Sequence, residues 1–287
     1  MDGGPFDSAW FKWGQAIVHA NALQAEIKAS AGHGYSEPLF SARTEYEPKR
    51  HGFAVIVEKV APVPMRWRLL LGDIASDYRA SLDHLAWALV SRGRTPPGKL
   101  TPSQENAVYF VIAEERSVFN AETRDPPKPT SRLKMPGLRR ADRAKIRPFE
   151  PYRYTRGRPM HVFVLLTKVN NGDKHRTVQP LLPTPTRVNI EVTDARDCAP
   201  PTIPRRGFPR RAAILEPDAE LAFIRTRKTG PNPQLDVKLD LTAEPCVHER
   251  IGVGEWVGRC GTHIAALLSQ FSDPPQGIAE IESKPGV

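Results

Sequence analysis

The sequence predicts an α+β protein, a helical bundle core with an antiparallel β-sheet inserted into it or appended to it. Three observations carry that prediction. The 29 Pro are unevenly placed, and the long gaps between them carry helical periodicity. The β-rich runs cluster between residues 187 and 247 instead of alternating with helices, which argues against βαβ units. Helical spacing then returns at 254–271, so the last helix is read as packing back on the first ones.

The elements follow in order. Residues 6–31 contain no Pro, Asp7 or Ser8 can cap the segment, and Ile17, Leu23 and Ile27 are spaced for one face. Gly32 and Gly34 mark its end. The stretch 39–60 reads as a hairpin: Phe40–Tyr46 alternates, Phe53–Val57 is β-rich, and Glu47–Gly52 is turn-like. Met65–Ser91 is the second Pro-free helix. A strand or short helix is expected at Val108–Ile112 and a helix at Glu114–Glu122. Met160–Val178 is a further helix. Strands are expected at Val188–Val192, Ala212–Leu215, Leu221–Arg227 and Leu235–Leu241, forming one antiparallel sheet. The domain reading is a helical core over 1–180, holding the hairpin (about 39–60) and a basic Pro/Arg-rich segment (about 124–158), then a β region at 187–247 and the helix 254–271.

Charge and cysteine usage narrow the function classes. The chain of 287 residues has 41 Lys+Arg against 32 Asp+Glu, a net charge of +9. Between Arg124 and Arg147, nine Lys/Arg face only Asp125 and Asp142. Phe149, Tyr152 and Tyr154 interleave with Arg147, Arg153, Arg156 and Arg158, a pattern that suits stacking on single-stranded RNA, and Arg205, Arg206, Arg210 and Arg211 add to it. RNA or another acidic partner is therefore expected. No apolar run reaches the roughly 18 residues of a membrane span, and no signal-peptide pattern opens the chain. Cys198, Cys246 and Cys260 are too few and too scattered for a disulfide framework, so a cytoplasmic protein is expected. There is no P-loop, no dinucleotide fingerprint and no G-x-S-x-G elbow, and no cofactor is expected.

Two helices carry the candidate chemistry. At about 100° per residue, Ile74, Tyr78, Leu82, Leu85 and Leu89 form a core stripe, while Asp73, Asp77 and His84 share a polar face. Arg79 and Asp83 lie on a third face, four residues apart, where they can pair. His titrates near neutrality and Arg supplies a fork for phosphate, so an acid–base or phosphate site competes here with a plain structural network. On the later helix, Lys168, Asn171 and His175 share a face; with Lys174 and Arg176 they form the expected ligand-contacting set. His19, His84 and His175 on three helices give a metal-binding alternative, without HExxH or paired spacing.

Gly72-Asp-Ile-Ala-Ser-Asp-Tyr-Arg-Ala-Ser-Leu-Asp-His-Leu-Ala-Trp87 and Val169-Asn-Asn-Gly-Asp-Lys-His-Arg176 resemble a family of uncharacterised bacterial proteins. Its helix has the form G-D-x-x-H-N-L-R-S-A-L-D-H-L-x-W, followed later by L-N-N-x-D-K-H-R. Ile146-Arg-Pro-Phe-Glu-Pro-Tyr152 is similar to that family's proline-aromatic segment. The chain departs from the pattern at Ser76-Asp77 and at Gly172. This resemblance implies a shared helical core and shared polar positions. Arg79-Ala-Ser-Leu-Asp-His84 also resembles the R-x4-6-H spacing of HEPN-type helical proteins, many of them metal-independent ribonucleases. That second resemblance implies His84 as acid/base, Arg79 as phosphate clamp with Asp83 beside it, and a cleft built by a homodimer. The rival expectation is a non-enzymatic binding or structural protein whose polar helix faces hold the bundle together.

Overall fold

The computed structural model describes residues 4–31, 40–92, 100, 102–123, 133–154, 160–175, 182–193, 217–225, 236–248 and 251–278. Of 30, 31, 40, 173–175, 182–193, 236–245 and 248 it describes the backbone alone. The fold is α+β. In chain order it runs α1 (Asp7–Ala31), β1 (Phe40–Glu47), β2 (Gly52–Val60), α2 (Met65–Arg92), α3 (Pro102–Glu105), α4 (Arg116–Glu122), α5 (Arg140–Ile146), α6 (Val162–His175), β3 (Leu182–Thr193), β4 (Glu220–Arg225), β5 (Asp236–His248), β6 (Ile251–Gly252) and α7 (Val253–Leu268). Among the described residues, no helix is long and apolar enough to cross a membrane.

The chain divides into two units, Met1–Ala25 with Leu69–Gln179 and Gly254–Val287, and Glu26–Arg68 with Pro180–Val253. The first is helical. Ile74, Tyr78, Leu82, Leu85 and Leu89, the stripe expected on α2, are all fully buried. Full burial of each such side chain is worth roughly 1.5–3 kcal/mol. Three polar side chains inside this core find backbone partners. Trp13 Nε1 donates to the Gly261 carbonyl at 2.9 Å, Tyr78 Oη to the Val257 carbonyl at 3.1 Å, and Ser81 Oγ to the Ala9 carbonyl at 2.8 Å. These bonds tie α1, α2 and α7 together.

Gly261 sets how closely α7 approaches α2. A Cβ at this position would lie 2.5 Å from Tyr78 Oη, whose hydroxyl is anchored on Val257. Gly261→Ala is expected to destabilise the protein by about 2 kcal/mol, the usual scale of overpacking. Adding Tyr78→Phe removes the clashing oxygen and should recover part of that loss, a coupling readable from the melting temperatures of the two single variants and the double variant.

The second unit holds two antiparallel sheets. β1 and β2 form the expected hairpin, with Arg43 opposite Ile56 and Glu47 opposite Gly52. A 3₁₀ turn, Pro48–Arg50, closes it, with His51 in the left-handed region at φ 52°. β2 then pairs with β4, giving the order β1-β2-β4, while β3, β5 and β6 form the other sheet. Arg50 fastens the first sheet: it bonds Glu220 at 3.0 Å and stacks over the Phe223 ring at 3.8 Å.

Two sequence expectations change here. The strands of 187–241 do not make one sheet, because β4 leaves the block to pair with β2. The hairpin at 39–60 therefore groups with the later strands and not with the helices of 1–180. Strand propensity says that β4 is extended but not which edge it pairs with, and that choice decides the partition. The expected strand at Ala212–Leu215 lies outside the described residues.

Val108–Ile112 is neither strand nor helix. It is an irregular run that buries Val108, Phe110 and Val111 and exposes Tyr109, and its backbone bonds go to side chains as well as to backbone. Buried backbone groups must be paired, and here a guanidinium and two carboxylates supply part of what a neighbouring strand would. Tyr109 N–H reaches the Lys134 carbonyl at 3.1 Å. Phe110 N–H donates to Asp83 Oδ1 at 2.9 Å, and the Phe110 carbonyl accepts from Arg79 Nη2 at 2.9 Å. Ala113 N–H donates to Glu150 Oε2 at 2.7 Å.

Candidate nucleic-acid interface

The basic segment keeps its charge through folding. Its described part, 133–154, contains α5 and two 3₁₀ turns, Arg147–Phe149 and Pro151–Arg153. Met135, Leu138 and Ile146 anchor it as fully buried side chains. Seven Lys/Arg occupy this stretch (Lys134, Arg139, Arg140, Arg143, Lys145, Arg147, Arg153), and all but the half-buried Arg143 are exposed. Its two acids are turned inward. Asp142 is 4% exposed and accepts from Arg92 Nη2 at 2.6 Å. Glu150 is fully buried, and burial pushes its carboxyl up to about 8, so it adds little negative charge at neutral pH. The outcome is a stretch of exposed cations whose own acids have been withdrawn.

Local contacts steer some of these cations. Arg139 donates to the Arg92 carbonyl, Lys145 to the Gln270 carbonyl, and Arg143 reaches Asn120 Oδ1 at 3.4 Å. The aromatics expected to stack on bases are partly used within the fold. Tyr152 packs on Phe119 with ring centroids 5.9 Å apart, and Phe149 packs on His263 at 5.2 Å. Tyr154 covers His161 at 4.3 Å and is still 41% exposed.

Behind Tyr154 lies a cluster that the sequence reading missed. His161 and His263, 102 positions apart in the chain, have ring centroids 5.1 Å from each other, and both rings contact Phe163. Read singly, each is a lone histidine; only the meeting of the α6 start with α7 makes them a pair. His161 caps α6, its Nδ1 accepting the Phe163 N–H at 3.2 Å. Burial, then the nearby His263 and Arg259, lowers the His161 imidazole to about 4. Burial likewise lowers His263, against a bond to the Phe149 carbonyl that favours its protonated form. In both rings Nε2 is buried and, among the described residues, has no hydrogen-bond partner.

The residues expected to carry chemistry on α2 are placed as follows. Arg79 and Asp83 pair, Nη2 to Oδ1 at 2.9 Å and Nε to Oδ2 at 3.2 Å, and together they hold Phe110. Their side chains are only 16% and 22% exposed. His84 stands on the exposed side of the helix. Asp73 is exposed too, whereas Asp77, expected on the same face, is 9% exposed and faces α1. Asp77 bonds Lys12 Nζ at 3.1 Å and lies 3.2 Å from His19 Nδ1. Lys168 and Asn171 are exposed on α6. Lys174 and His175 belong to α6 by their backbone alone, and Arg176 lies outside the described residues. Among the described residues, no group of three or more His, Cys, Asp or Glu is placed to hold a metal ion.

Compared with known proteins, the chain matches no family model, no curated protein and no solved structure.

Proposed function

We propose that this protein binds single-stranded RNA through the cationic face of 133–154, without cleaving it. The observation that carries this reading is the withdrawal of Asp142 and Glu150 from a stretch of seven Lys/Arg. A solvated loop has no need to hide its acids. A surface for a phosphate chain gains from it, because each acid left outside would repel the ligand. Tyr154, exposed between Arg153 and the histidine pair, offers a ring on which a base can stack. Arg79 and Asp83 serve the fold in this reading, since their polar atoms are bonded to each other and to Phe110.

Binding should weaken steeply with salt, because each neutralised phosphate of a single strand releases about 0.7 of a counterion. The triple charge reversal Arg140→Glu, Arg147→Glu, Arg153→Glu should lower affinity at least about tenfold and flatten the salt dependence by about two in log–log slope. Fluorescence anisotropy with a labelled oligoribonucleotide across a salt series measures both. Affinity that is flat with salt, or unmoved by the charge reversal, rejects the interface. Cleavage through Arg79 and His84, the expectation drawn from their spacing, has a separate signature. Wild-type protein would then cut RNA, and His84→Ala would abolish the cut without lowering the melting temperature.

A further inference from the structure

The two unpartnered imidazole nitrogens behind Tyr154 are complementary. His161 uses its Nδ1 lone pair to accept from the Phe163 N–H, so the neutral ring carries its proton on Nε2. His263 gives its N–H to the Phe149 carbonyl, which leaves a lone pair on Nε2. One buried nitrogen is therefore a donor and the other an acceptor, on rings whose centroids are 5.1 Å apart. Buried polar groups without partners are rare and costly, and two of them side by side mark a place that something else fills.

Chemistry restricts what that is. A metal ion needs a lone pair from both rings, and the His161 lone pair is already taken. A phosphate or carboxylate oxygen only accepts and would face the His263 lone pair. An ammonium only donates and would face the His161 N–H. A hydroxyl accepts from one and donates to the other through a single atom. The pair sits beside the cationic face: Phe149 and Tyr154, which belong to 133–154, touch His263 and His161. Tyr154, 4.3 Å from His161 and 41% exposed, is the ring that must swing aside to admit a ligand.

We propose that His161 and His263 form a two-point site for a hydroxyl group, the ribose 2′-hydroxyl of an RNA strand held on the cationic face. This rests on the RNA-binding reading and adds a specificity to it, since DNA lacks that hydroxyl. A buried water offers the same chemistry, and the experiment separates the two sources.

The test compares single-stranded RNA and DNA of one sequence at one salt concentration. Wild-type protein should bind the RNA about tenfold tighter, the scale of one or two added hydrogen bonds. His161→Asn keeps an oxygen to cap α6 but loses the Nε2–H donor. His263→Phe keeps the ring contacts but loses the acceptor. Each should bring RNA affinity down to the DNA value and leave DNA affinity unchanged, which also reports an intact fold. In wild-type protein the imidazole ¹⁵N resonances of both residues should move on adding RNA and stay in place on adding DNA. Equal affinity for RNA and DNA, or a preference that survives both substitutions, overturns the hydroxyl site and leaves water as its occupant, with the cationic interface standing. Absence of binding to either nucleic acid overturns the interface and the hydroxyl site together.

Discussion

Arg79→Ala is expected to destabilise the protein by roughly 3 kcal/mol, with no loss of RNA affinity. The substitution takes from Asp83 its guanidinium partner, leaving it the Phe110 N–H, and removes the Arg79 donor from the Phe110 carbonyl; taking one member from such a pair costs roughly 3–5 kcal/mol when burial is complete. Arg79→Lys should restore only part of the loss. An ammonium can reach one acceptor well, while the guanidinium bonds both Asp83 oxygens and Phe110 at once. Chemical denaturation and anisotropy on the same preparations separate this outcome from a phosphate clamp. A clamp would lose affinity in Arg79→Ala and keep its stability.

The second large effect is a stability gain. The Glu150 carboxyl, raised by burial from 4.5 to about 8, keeps a proton in the folded state that the unfolded chain releases. Stability from this group is therefore full below pH 4.5 and falls by roughly 1.4 kcal/mol per pH unit as pH rises towards 8. Glu150→Gln keeps a carbonyl for the Ala113 N–H and has no proton to lose. The variant should match wild type near pH 5 and exceed it by roughly 3 kcal/mol at pH 7. His161 acts with the opposite sign, its imidazole lowered from 6.5 to about 4, so its contribution is lost as pH falls through that range. His263, lowered by burial as well, acts with the same sign as His161, so below 6.5 the two histidines oppose Glu150 and the wild-type profile should decline only above that range. Thermal melts of wild type and variant in buffers from pH 4 to pH 8.5 check both curves. A parallel pair of curves would reject Glu150 as the source.

Legibility in the sequence followed the range of each interaction. The α2 stripe was readable because 3.6-residue periodicity is local, and Ile74 to Leu89 are buried where it placed them. The β1–β2 hairpin was readable because its turn signal lies between its strands. The pairing of β2 with β4 was not, since partners such as Gly52 and Arg225 lie 173 positions apart in the chain and meet only on folding. The Arg79–Asp83 pair was visible as an i, i+4 spacing, but its grip on Phe110, 31 and 27 positions away, was not. α5 was hidden by composition: a Pro/Arg-rich stretch reads as loop, and Met135, Leu138 and Ile146 are too sparse to announce the anchor they form. Glu150 and the histidine pair left no local trace, because each acquires its character from residues brought in by folding.

The run Ala107-Val-Tyr-Phe-Val-Ile-Ala113 has a consequence for solubility. Five consecutive residues of high β propensity between two alanines, without charge or Pro, are the composition from which intermolecular cross-β stacks grow. In the folded protein three of the groups through which a second chain would template itself are held by charged side chains: Asp83 and Glu150 hold the Phe110 and Ala113 N–H groups, and Arg79 holds the Phe110 carbonyl. Charged side chains cannot be copied from one molecule to the next as a strand can, so the pairing ends with them. A defect that loosens this grip releases a sticky segment as well as free energy, and precipitation on storage should precede any loss of helical signal.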